Sequence, residues 1–249
     1  VEGPTAGGHN APPRTKNVLD DLGQPVYGER DAADLEQIAE LGLPFWLAGS
    51  YGSHEGLQSA QAQGAAGIQV GTIFAYARES GITPGIKRAV LEMIKAGRAK
   101  VFTDPLASPT GFPFKVVEIP GTMSDESVYQ ERRRVCDLGY LREVYEDENG
   151  KHGYRCAAEP VADYVRKGGK IEDTVGRKCL CNALMADVGL GQSRKSRGVE
   201  QPLVTSGDDL AAILPLLDES DNSYGAADVA HYLLSELPET ERVAAADAG

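Results

Sequence analysis

Pro44-Phe-Trp-Leu-Ala-Gly-Ser-Tyr-Gly-Ser53 and Gly67-Ile-Gln-Val-Gly-Thr72 decide the fold. The first opens with a short, continuously apolar run, Pro44–Ala48, the second with a run read as a buried strand, Gly67–Val70, and each stops in a turn of Gly, Ser or Thr. Such runs suit strands covered on both faces, as in parallel sheets. Between them, Ser53–Gln63 has the pattern of a helix, with Ser53 placed to cap its first turn. Upstream, residues 31–41 are helical, with apolar Ala33, Leu35, Ile38 and Leu41 and a Gly42 stop. Downstream, a helix is expected from Pro84 to about Arg98. Strands alternating with helices at this spacing predict an α/β fold with parallel strands and helical crossovers.

The pattern changes after residue 100. Thr103–Lys115 contains three prolines and reads as an irregular loop. Helices are expected over 124–134, 158–166, 177–188, 208–217 and 226–237. Residues 140–145 and 153–156 flank Glu148-Asn-Gly150 and predict a hairpin. Residues 191–200 read as a polar linker, and the acidic, Ala-rich end of the chain as a fraying tail. The division is therefore 1–100, α/β, and 101–249, an irregular and mostly helical extension.

The 249 residues carry 25 Lys and Arg against 37 Asp and Glu, a net charge of −12. That balance argues against nucleic acid or an anionic membrane as the main partner. No apolar run approaches the roughly 18 residues that span a bilayer. Four cysteines make no disulfide framework, which points to a reducing cytoplasm. Val1-Glu-Gly3 reads as a strand end, so the sequence is expected to be the later part of a longer protein.

Three stretches carry chemistry. In Glu2-Gly-Pro-Thr-Ala-Gly-Gly-His9, a histidine follows Gly7-Gly8 at a strand end, where parallel α/β folds place reactive groups. Its imidazole can take a proton near neutral pH. The turns Ala48-Gly49-Ser50 and Gly71-Thr72 open helical segments, and their N–H groups are expected to share one anion site. Gln69 lies on the strand before the second turn. Tyr51 is either a ligand contact or a packed loop aromatic. His54 and His152 read as solvent-facing, His231 as partly buried and Trp46 as core. Arg132, Arg133 and Arg134 read as the solvated end of a helix.

Cys136, Cys156, Cys179 and Cys181 fall within 46 residues of the extension. Four thiolates suit a tetrahedral structural zinc, although their spacing matches no standard finger. Four reduced, unligated cysteines are the alternative.

The first three stretches resemble the second half of the nitronate monooxygenase (2-nitropropane dioxygenase) family. The motifs are Ala6-Gly7-Gly8-His9, Ala48-Gly49-Ser50 and Gly71-Thr72-Ile73-Phe74, followed by Glu79-Ser80. Arg155-Cys156, Cys179-Leu-Cys-Asn182 and Leu203-Val-Thr-Ser-Gly-Asp-Asp209 resemble the extension of one branch of that family. The resemblance implies the C-terminal part of an FMN-binding (β/α)8 TIM barrel. It implies FMN held by Gly7, Gly8, Ala48, Gly49, Ser50, Gln69, Gly71 and Thr72, with His9 as catalytic base. The implied reaction oxidises an alkyl nitronate or nitroalkane with O2 to a carbonyl product and nitrite. A flavin-dependent enoyl reductase of fatty-acid or polyketide synthesis, or a non-catalytic flavin-binding scaffold, are the alternatives. Gly49-Ser50 departs from the double glycine of the family, and the early barrel strands are not in this sequence.

Overall fold

Trp46–Ala48 (β1) and Gly67–Gln69 (β2) pair in parallel, with Trp46 opposite Gly67 and Ala48 opposite Gln69. This is a computed structural model, and it describes residues 1–15, 18–195, 198–218 and 221–235. Glu2 forms a parallel bridge to Ala48, so the start of the chain continues the sheet. Leu35–Ala39 (α1) precedes β1, and Asp34 caps it by accepting from the Gln37 amide. His54–Ala62 (α2) makes the crossover and is capped by Ser53 as its sequence predicts. The short Thr72–Ala75 (α3) and the long Pro84–Lys95 (α4) follow β2.

The loop expected at 103–115 is flanked by pairing strands. Val101–Asp104 (β3) and Phe114–Val117 (β4) are antiparallel, Val101 opposite Val117. All of β4 is buried, including Lys115. Glu126–Glu131 (α5) is followed by a hairpin of Glu143–Glu146 (β5) and His152–Arg155 (β6). Val161–Arg166 (α6) and Leu180–Asp187 (α7) come next. The expected linker contains the short antiparallel pair Ser193–Arg194 (β7) and Gly198–Val199 (β8). The helix expected at 208–217 is a 3-10 helix, Leu210–Leu216, with Pro215 inside it. Ala226–Leu234 (α8) is the last described helix, and the fraying tail from residue 236 lies outside the described residues.

The result is a mixed α/β fold of small sheets. No closed barrel forms among the described residues, whose sheets are each two-stranded. Closure requires a continuous ring of tilted strands, and β1 and β2 with the Glu2 bridge supply only an arc.

The main core joins both parts of the chain. Ile73, Tyr76, Val90, Leu91 and Ile94 pack with Val117, Val204, Ile213, Tyr224 and Val229. Tyr224 Oη donates to Ile73 O at 2.9 Å, which satisfies a phenol that its apolar surroundings would otherwise leave unpaired. A second cluster, including Phe114, Met123, Leu180 and Leu203, belongs to the extension.

Several side chains depart from the sequence reading. Trp46 is 48% exposed rather than core. His54 is 5% exposed rather than solvent-facing, because α8 lies across α2 and brings Leu233 O to 3.2 Å from its Nδ1. His231 is on the exposed side of α8. Arg132 is no solvated helix end: α5 stops at Glu131, and Arg132 turns inward to a buried pair with Glu200.

Candidate functional site

The strand ends converge. A cavity of about 410 Å³ is walled by Thr5–Gly8, Ala48–Gly52, Gln69–Ile73 and Thr205–Gly207, with Asp209, Ala212 and Ile213. It therefore gathers Gly7, Gly8, Ala48, Gly49, Ser50, Gln69, Gly71, Thr72 and Tyr51. Its volume falls in the range of small-molecule sites, roughly 300–1,000 Å³.

Backbone packing sets the shape of the wall. A Cβ on Gly7 would stand 2.8 Å from Ser206 C and 2.9 Å from Gly207 N. Gly49, at φ +100°, lies where a Cβ would meet Thr5 Oγ1 at 2.8 Å. Here glycine lets two chains approach, while at Gly8 and Gly71 it leaves open space, with nothing within 4 Å of a Cβ. Ser50 holds a left-handed conformation, φ 59°, unusual for a residue with a side chain.

The fourth wall segment escaped the sequence reading as a site. Leu203-Val-Thr-Ser-Gly-Asp-Asp209 repeats the apolar-then-Gly/Ser/Thr pattern of the other turns, which was the signal available. Thr205 Oγ1 accepts from Gly8 N at 2.8 Å, and Thr72 Oγ1 accepts from Gly207 N at 2.8 Å. Asp208 N donates to Thr5 O at 2.9 Å. Ser206 Oγ is 2.5 Å from Tyr76 Oη. Burial pushes the Tyr76 phenol well above its ordinary range, so it stays protonated.

His9 flanks this cavity rather than lining it. It bridges Phe114 on β4, and the two rings meet edge to face with centroids 4.8 Å apart. His9 Nε2 is 2.7 Å from Ser108 Oγ, itself 2.8 Å from Thr110 Oγ1. Burial lowers the imidazole pKa, which keeps the ring neutral at neutral pH. Beside it, buried Lys115 donates from Nζ to Thr103 Oγ1 and Asp208 Oδ2, both at 2.7 Å.

The four cysteines lie near enough to act on one another, but the expected zinc centre is not shown. Among the described residues no group of three or more His, Cys, Asp or Glu is placed to hold a metal ion. Cys156 and Cys179 share a small buried cluster with Ala158, and all four thiols are free. Burial pushes Cys156 up to about 12 and Cys179 up to about 11, with the neighbouring cysteines adding to the rise.

No protein-family model matches this chain, and no curated protein does. Among solved structures, a mutant of FabK from Thermotoga maritima is similar over 100% of this chain and 54% of its own, with 15% identity and a TM-score of 0.42. The chain thus spans about half the length of that structure. So distant a likeness transfers no residue roles. Among the described residues, no helix is long and apolar enough to cross a membrane.

Proposed function

We propose that this chain forms the phosphate-holding and proton-handling part of an FMN-dependent oxidoreductase and, more finely, of a nitronate monooxygenase. One observation carries the reading: the Gly7-Gly8, Gly49-Ser50 and Gly71-Thr72 turns wall a single cavity of suitable size. The residues fit the cofactor. Gly8 and Gly71 present bare backbone to open space, and hydroxyls of Ser50, Thr72 and Thr205 stand in the same wall. Backbone N–H groups and hydroxyls can hold a phosphate where no cationic side chain is available.

When bound, FMN would supply the electron chemistry with O2, and the protein supplies orientation and proton transfer. Ser108 engages His9 Nε2, which leaves Nδ1 as the ring atom for substrate. A neutral imidazole accepts the α-proton of a nitroalkane and, once protonated, balances the charge of a bound nitronate. Phe114 and Ser108 fix the ring plane, so the proton transfer needs no side-chain search.

The test uses the intact protein. It should purify with a yellow chromophore and release nitrite from an alkyl nitronate. His9→Asn should lower turnover roughly 10²–10⁴-fold with FMN still bound. Undiminished turnover would remove His9 from the chemistry. NADPH-dependent reduction of an enoyl thioester without nitronate turnover would replace this reading with the reductase. A colourless protein that binds no flavin would remove both.

A further inference from the structure

Among the described residues the cavity wall contains no lysine or arginine, yet it contains the carboxylates of Glu2 and Asp209. Glu2 is exposed. Asp209 is half-buried and shares the wall with Ile73, Ala212 and Ile213. Its neighbour Asp208 is paired with Lys115 Nζ at 2.7 Å, and among the described residues Asp209 has no ion pair of that kind. A carboxylate offers about four acceptor positions. The Gly52 amide and the Asp209 amide act on this one, and the remaining acceptor capacity adjoins the cavity.

The position of Asp209 narrows what it can meet. It adjoins the first turn, with Oδ2 3.8 Å from where a Cβ of Gly52 would stand. A single residue separates it from Gly207, whose amide donates to Thr72 Oγ1 in the second turn. It thus stands beside both turns assigned to the phosphate. A carboxylate there repels a second anion and attracts a donor. A dianionic phosphate offers no donor, so the group that meets Asp209 belongs to the adjoining part of the ligand.

We propose that Asp209 accepts hydrogen bonds from the hydroxyls of a polyol chain next to the phosphate, which on the flavin reading above is the ribityl chain of FMN. The arrangement makes this wall selective for a hydroxylated, phosphate-bearing ligand. A bare aromatic ring system, or a phosphate alone, lacks the groups that Asp209 would hold.

Three flavins separate the parts of the ligand. FMN carries ring, polyol and phosphate; riboflavin lacks the phosphate; lumiflavin has the ring alone. Binding of each to the intact apoprotein is measured by fluorescence titration. Asp209→Ala should weaken riboflavin and FMN roughly 10–100-fold, the range of a hydrogen bond to a charged group, and leave lumiflavin unchanged. Asp209→Asn, which keeps the shape, guards against a folding defect and should show the same order of sensitivity. Equal weakening of all three flavins, or none for riboflavin in either variant, overturns the assignment. Failure of the unmodified protein to bind any flavin overturns the flavin reading itself, and this inference with it.

Discussion

Asp187 ends α7 with its carboxyl buried, and Oδ1 finds no hydrogen-bond partner among the described residues. Burial pushes its pKa up to about 8, and the Leu203 amide offsets only part of the rise. In the unfolded chain the same group titrates near 4. Between about pH 4 and 8 the folded state therefore holds a proton that the unfolded state has released. Its contribution is full below the unfolded pKa, declines across that window and is gone above the folded pKa. The loss is at most about 1.4 kcal/mol per pH unit. Asp187→Asn keeps an acceptor for the amide and removes the titration. The variant should gain stability relative to the parent as pH rises from 5 to 8, read from urea midpoints. Parallel pH profiles would show that Asp187 is not protonated in the fold. Nothing in the local sequence announces this residue: a lone Asp at a helix end reads as solvated, and its surroundings, the Leu203 amide and Thr83 among them, come from elsewhere in the chain.

At the scale of elements, two partly buried arginines link segments of the extension. Arg132 meets Glu200 through Nε and through Nη2, the latter at 3.0 Å, and their side chains are 10% and 2% exposed. Arg194 bonds the same carboxylate and also Asp137, which accepts from Asn182 Nδ2 at 3.0 Å. This cluster ties the segment after α5 to α7 and the β7–β8 hairpin. Arg132→Met alone leaves Glu200 with less compensation and should cost about 3–5 kcal/mol in denaturant unfolding. Adding Glu200→Gln should recover much of that, since Arg194 keeps Asp137. A single variant as stable as the parent would show that the pair contributes nothing.

The same contrast explains what the sequence made legible. The β5–β6 hairpin was readable because its turn is local: Asp147 Oδ1 accepts from the Asn149 and Lys151 amides. The α2 cap was readable for the same reason. The β3–β4 pairing was not, because prolines at 105, 109 and 113 gave a loop signature while the strands lay on either side of it. The cavity was half legible. Three of its turns carry their pattern in consecutive residues, whereas the role of Thr205–Asp209 depends on its being brought back beside Gly7.

In the whole molecule, Gly7 and Ser206 are where two segments far apart in the chain press backbone to backbone. Gly7→Ala puts a Cβ 2.8 Å from Ser206 C, and neither neighbour is a side chain that can swing away. The variant should lose about 1–3 kcal/mol of stability from overpacking. It should also lose flavin binding by more than a distant destabilising substitution of equal cost. Unchanged stability together with unchanged binding would show that this approach of the two segments is not fixed.

That contact also has a consequence in time. A ribosome delivers a chain from its N-terminus at about 5–20 residues per second, and early units can fold before later ones exist. The Gly7, Gly49 and Gly71 turns emerge well before the segment beside them, Thr205–Asp209, which follows β3 to β8. Val204, seated against Val117 and the apolar residues of α3 and α4, arrives equally late. A nascent chain halted at the β7–β8 hairpin would hold three correct turns and no pocket. On the flavin reading, ligand capture waits until residue 209 has emerged, and a chain halted before residue 203 is expected to bind no flavin.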